Sequence, residues 1–298
     1  MSIVIILIFV LLLIFIYLRL TWYLIICNIV SGMGIFTIIF IFIIGSIVGS
    51  FLNVCIYRLP REESIVMPRS ACPYCHHTLT VVELFPIISF LIQRGRCRNC
   101  NAFIRWQYPA VELITAVLFV LVFLQFPSML DRVILMSFIS AMIVVFFIDL
   151  EFRIILDIIT LPGIVIGLSL SLFPHYPFSD TDIFSRFINS LLGTFIAGGL
   201  IYVLAVIGEK IYKKEAMGGG DMKVMAFIGA FFGWRYALAI LFLSSLLGAI
   251  VGIILVLFKI VKRRDHIPFG PFISIATAIM IFYGKDFIRH FFSIHYNY

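Results

Sequence analysis

Apolar runs long enough to cross a bilayer dominate this sequence, and only short charged stretches interrupt them. The hydrocarbon core holds no water to satisfy backbone N–H and C=O groups, so such runs must fold as helices. Spans are expected at 35–57, 109–126, 132–150, 154–173, 186–208, 236–258 and 271–284, with 2–18 as an extra apolar run. The run 222–232 is too short to cross a core of about 30 Å as a straight helix, so it starts in a recess or continues past Gly233. Hydrophobic residues make up 63% of the chain and charged ones 12%, where a soluble domain has roughly half and a quarter. The fold class is an all-α polytopic membrane protein, and 298 residues accommodate eight or nine spans of about 20 residues.

The net charge of +7 is spread over several loops. That pattern points to cytoplasmic loops beside an anionic lipid bilayer and away from nucleic acid. Of the 22 Lys and Arg, 16 lie in 57–108, 151–153, 209–223 and 259–270, and 6 on the alternate side. The positive-inside rule places the first set in the cytoplasm. Four regions follow: an extra N-terminal membrane segment over 1–32, a first helix over 33–57, a cysteine-bearing insert over 58–108 and a membrane domain over 109–298. No basic stretch precedes the run 2–18, which argues against a cleaved signal.

The insert carries Cys72-x-x-Cys75 and Cys97-x-x-Cys100, with 21 residues between Cys75 and Cys97. Two such knuckles can each offer two thiolates to one tetrahedral zinc ion. Two disulfides are the alternative, and a reducing cytoplasm weighs against them. Four cysteines close the coordination sphere, so the ion would staple a domain with little core rather than do chemistry. His76 and His77 are then neighbours of the site rather than ligands.

Two acids lie at membrane ends on the same side. Asp149 closes the run 143–148, and Asp221 follows Gly218, Gly219 and Gly220. Each glycine costs roughly 1 kcal/mol in a helix interior relative to alanine, so this stretch reads as a bend or a close backbone approach. The plainer alternatives are an interfacial anchor for Asp149 and a helix cap for Asp221. Two apposed carboxylates sharing one proton can instead run an aspartyl peptidase, one as base on water and the other polarising the scissile carbonyl. Helix-end dipoles alone would make Asp221 the base and Asp149 the acid. Asn53, near a Gly45/Ser46/Gly49/Ser50 stripe, is either glue between helices or a site residue, and Glu112 and Lys223 are further supporting residues.

The order of these motifs resembles the type IV prepilin peptidases (leader peptidases), within the GxGD intramembrane aspartyl proteases. The resemblance runs through Gly49-Ser50-Phe51-Leu52-Asn53, both CxxC pairs, Glu83 with Pro86 and Ser89, and Tyr108-Pro109-Ala110-Val111-Glu112. It continues through Ile148-Asp149, Met217 to Lys223, Gly229-Ala230, Gly233-Trp234 and Pro268-Phe269-Gly270-Pro271. It implies Asp149 and Asp221 as the catalytic pair, supported by Gly218 and Gly220. It also implies cleavage of type IV prepilin or pseudopilin leaders at the cytoplasmic face of a bacterial inner membrane, and N-methylation of the new amine with S-adenosylmethionine. Two positions depart from the pattern: Ile155-Leu156-Asp157 stands where Ile-Pro-Asp is usual, and Arg105-Trp106-Gln107 replaces a Ser-containing run. Two rival classes remain at this level: a proton- or cation-coupled transporter using the acids as its ion site, and a zinc-bearing scaffold of a secretion or pilus machine.

Overall fold

A computed structural model of the chain describes residues 34–173, 182–212, 218–262 and 267–291. The extra segment over 1–32 lies outside them. Every long element among the described residues is helical: α1 (Ile35–Arg58), the short α2 (Ile88–Ile92), α3 (Gln107–Gln125), α4 (Met129–Phe152), α5 (Asp157–Leu170), α6 (Ile183–Tyr212), α7 (Gly219–Leu257) and α8 (Gly270–Phe291). Six of these are long and apolar enough to span a membrane, and α5, with 14 residues, is shorter. The run 222–232 does continue past Gly233. There α7 turns through a backbone of φ 75° and ψ 173°, so two helices meet at a kink. A residue with a Cβ rarely adopts that φ, which is why glycine stands at the joint.

The chain forms two compact units, whose described residues are 34–144 and 145–291. In the first, α1 packs on α3 through backbone rather than side chains. A Cβ added at Gly45 would sit 2.7 Å from the Ala116 Cα, and one at Gly49 would sit 2.7 Å from the Glu112 Cα. Small residues at spacings of three and four allow this approach, as expected where lipid gives apolar helices no hydrophobic reason to associate. Asn53 Nδ2 donates to the Tyr108 carbonyl at 3.0 Å and ties the end of α1 to the start of α3. The opposite face of α1, with Phe36, Phe40 and Ile47, stays exposed and apolar, as a lipid-facing surface should be.

In the second unit α7 is the central element. Gly193 of α6 and Gly229 of α7 meet backbone to backbone, each filling the space a Cβ at the other would need. On α5, Gly163 and Gly167 form notches that receive the rings of Phe227 and Phe231, themselves edge-to-face at 5.2 Å. This packing sets the N-terminal turn of α7 beside the start of α5. A Cβ at Gly220 would lie 2.7 Å from the Ile155 Cβ. The triple glycine therefore does not break the chain as a bend. Gly218 caps α7 in an extended conformation, Gly219 and Gly220 form its first turn, and the close approach is to Ile155.

Candidate functional site

Asp149 lies in the last turn of α4. That helix ends at Phe152, where Arg153 turns left-handed (φ 57°) and returns its N–H to the Asp149 carbonyl at 2.9 Å. A left-handed residue closing a helix is an ordinary stop signal, usually carried by glycine. Asp221 lies in the first turn of α7, its N–H bonded to the Gly218 carbonyl at 3.2 Å. Both side chains are buried, 6% and 8% exposed, and their carboxyl groups are close enough to act on each other electrostatically. Two acids 72 positions apart in sequence are thus buried in the same unit, near enough for the charge of one to act on the other.

A third element reaches Asp149. Gly270, first residue of α8, donates its N–H to Asp149 Oδ2 at 2.9 Å. The first N–H groups of a helix have no intrahelical acceptor, so the start of α8 presents a ready donor to an anionic group. Gly270 must be a glycine for this contact: a Cβ there would lie 2.7 Å from the same Oδ2. The charge of Arg153 also bears on Asp149. The sequence marked Pro268 to Pro271 only as part of a motif. The signal available was an apolar span opening on Gly-Pro at the same membrane side as the acids.

Lys223, two residues beyond Asp221, pairs with Asp157 at 2.6 Å, joining the first turns of α7 and α5. Its ammonium is therefore engaged at the rim rather than aimed between the two buried carboxylates. Asn53 and Glu112 belong to the first unit and are occupied there. Glu112 accepts the Ile87 N–H at 2.7 Å and a hydrogen bond from Ser50.

The four insert cysteines converge. Each knuckle repeats one pattern: Cys72 N donates to His77 O and His76 N to Cys72 O, while Cys97 N donates to Ala102 O and Asn101 N to Cys97 O. The residues that follow the second cysteines, His76 and Asn101, are left-handed at φ 54° and 55°. The sulfurs all lie within 4.8 Å of one another, with Cys72–Cys100 at 3.8 Å and Cys75–Cys97 at 4.0 Å. A tetrahedral ion with metal–sulfur bonds of about 2.3 Å requires sulfurs about 3.8 Å apart, so the cluster could hold a metal ion such as zinc. Backbone donation near His77 and the Asn99 amide hold the Cys75 thiol down at about 6. Although a backbone bond at Ala102 works the other way, burial and the three neighbouring sulfurs push Cys100 up to about 12. Four thiols cannot all ionise together at this spacing without a cation among them. The two histidines stay outside the cluster. His77 Nε2 faces Glu83 Oε2 at 3.5 Å, and Glu83 also accepts the Thr80 N–H and hydroxyl at 2.9 and 2.8 Å. Those Thr80 bonds, together with His77, hold the Glu83 carboxyl below its usual range.

A multi-pass helical membrane protein with a buried aspartate pair and a four-cysteine lobe is the class these observations define. Residues 43–126 match the Bacterial Peptidase A24 N-terminal domain, and residues 136–253 match the Type IV leader peptidase family. A prepilin leader peptidase/N-methyltransferase of Aeromonas salmonicida (strain A449) is 33% identical over 284 residues, covering 87% of this chain and 94% of that protein. One of Bacillus subtilis (strain 168) is 35% identical over 254 residues, 84% of this chain and 96% of the other. A third, of Myxococcus xanthus (strain DK1622), is 37% identical over 219 residues, 74% of this chain but 63% of that protein, so the match spans less than two thirds of its length. No solved structure matches the chain. The chain belongs to the type IV leader peptidase family and is a bacterial multi-pass membrane protein.

Proposed function

We propose that this protein cleaves the leader of type IV prepilins or pseudopilins with Asp149 and Asp221 as the catalytic pair. The observation that carries the reading is the burial of both carboxylates within electrostatic reach of each other, with the Gly270 N–H on Asp149. Two close carboxylates in an apolar site favour a single shared proton, because like charges cannot both be held there cheaply. One carboxylate then takes a proton from the attacking water, while the other donates to the scissile carbonyl oxygen. The donor at Gly270 and the charge of Arg153 both suit an ionised Asp149, and among the described residues no side chain or backbone donor faces the Asp221 carboxyl in the same way. This tertiary contact outweighs the helix-end dipoles, each worth only about 0.3–1 kcal/mol, and makes Asp149 the base and Asp221 the acid. The assignment is the reverse of the one the dipoles alone give.

The basic asymmetry supports a site on the cytoplasmic side of the inner membrane, where a basic leader would be reached. Zinc in the four-cysteine cluster would hold the insert together without entering the reaction. S-adenosylmethionine-dependent methylation of the new N-terminus rests on the relatives' names. The chain carries no glycine-rich nucleotide-binding fingerprint, and none of its residues is assigned to that transfer. Mass spectrometry of a pilin precursor co-expressed with the chain tests the reading. The expected product lacks its leader, and an added 14 Da would report one methyl group. An intact precursor in the presence of folded protein would refute the peptidase assignment.

A further inference from the structure

The insert reads in sequence as an extramembrane lobe, yet one part of it is bonded to a helix long and apolar enough to span a membrane. Glu112 is the sixth residue of α3, about 7.5 Å along the helix from Gln107 at a rise of 1.5 Å per residue. Its carboxylate accepts the N–H of Ile87, which ties that backbone to the first turns of the apolar helix. Ile87 itself is the centre of a γ-turn at φ 61° and ψ −52°, closed by Ile88 N donating to Pro86 O at 2.5 Å. A β-branched residue with positive φ is rare, and persists only where its surroundings hold it.

The flanking stretch has the chemistry of a membrane-bound segment. Val81, Leu91 and Ile92 are 74%, 66% and 64% exposed, and Leu84, Phe85 and Ile88 are exposed beside them. Much of its irregular backbone finds acceptors within the protein: Glu83 and Leu84 donate to Thr80 O, Phe85 to Val82 O, Ile87 to Glu112, and Ser89 to Phe85 O. Irregular backbone lies near lipid at least cost where its polar groups have such partners. The single acid between 81 and 105, Glu83, is buried and bonded, while Arg94, Arg96 and Arg98 are exposed just past the apolar run. Apolar burial of about 5–10 Å with adjacent cations is how a monotopic segment sits on an anionic leaflet.

We infer that residues 81–92 are an interfacial anchor embedded in the lipid surface beside α3, pinned at its depth by the Glu112–Ile87 bond, with Arg94, Arg96 and Arg98 on anionic headgroups. The four-cysteine lobe is thereby held down on the bilayer rather than projecting from it. The test uses the full-length chain in liposomes of phosphatidylcholine with or without phosphatidylglycerol. p-Benzoylphenylalanine is placed at 85, 91 or 74, irradiated, and its adducts read by mass spectrometry. Tyr74, 72% exposed in the first knuckle, is the matched control. Phospholipid adducts several-fold more abundant at 85 and 91 than at 74 are expected. Phosphatidylglycerol should raise the yield at 91, and Arg94→Gln/Arg98→Gln should abolish that rise. Equal lipid adducts at 74 and 91, or protein adducts in their place, would overturn the anchor. A yield indifferent to phosphatidylglycerol would overturn the role of the arginines.

Discussion

Replacing Gly270 by alanine probes the proposed site with one methyl group. The glycine has no left-handed φ, so alanine meets no backbone penalty there, and alanine is roughly 1 kcal/mol the better helix former. The only cost is local: the new Cβ would stand 2.7 Å from Asp149 Oδ2 and 3.1 Å from its Cβ and Cγ. Asp149 must rotate away, and the 2.9 Å bond from Gly270 N is lost. A hydrogen bond to a charged group is worth about 1.5–3 kcal/mol, and each 1.36 kcal/mol of barrier is about tenfold in rate. The expected result is a fall in kcat of roughly 10- to 150-fold, with KM and melting temperature little changed. Gly248→Ala is the control, because its nearest neighbour is a Phe272 ring carbon at 3.5 Å. Cleavage of a pilin precursor in proteoliposomes reads both variants. If Gly270→Ala is folded like the parent and also cleaves like it, the proposed role of the α8 N-terminus is wrong.

Asp149→Asn and Asp221→Asn should each be nearly inactive in the same assay, and the parent should show a bell-shaped pH–rate profile. Infrared difference spectra should lose the protonated-carboxyl band in Asp221→Asn; its loss only in Asp149→Asn would reverse the roles. Elemental analysis should find one zinc per chain and none in Cys72→Ser/Cys97→Ser, whose cleavage should fall less than in either aspartate variant. Metal-free parent protein with free thiols would remove the zinc reading. Lys223→Met should slow cleavage by less than about tenfold, since a half-exposed ion pair is worth about 0–1 kcal/mol. The exchange Lys223→Asp/Asp157→Lys should recover part of the loss, and no recovery would mean that Lys223 acts elsewhere.

Much of this molecule was legible along the chain because its signals are local. Apolar run length announces a membrane helix, since lipid allows the backbone no other way to satisfy its hydrogen bonds. The two CxxC spacings announced a cluster able to hold a metal ion because each knuckle is built from six consecutive residues, and the convergence of Cys72, Cys75, Cys97 and Cys100 agrees. Asp149 and Asp221 stood out as acids at apolar-run ends, and their helix positions follow from those runs. Contacts between distant elements were different. The Gly270 donor, 121 residues from Asp149, and the Ile87–Glu112 bond, across 25, leave no periodicity to read. Lys223 and Asp157 are an ordinary lysine and aspartate until α5 and α7 pack through Gly163, Gly167 and the two phenylalanine rings. The proposed assignment of charge within the pair turns on tertiary structure for the same reason: a helix-end dipole can be read from sequence, but a hydrogen bond from another helix, such as that from Gly270 to Asp149, cannot.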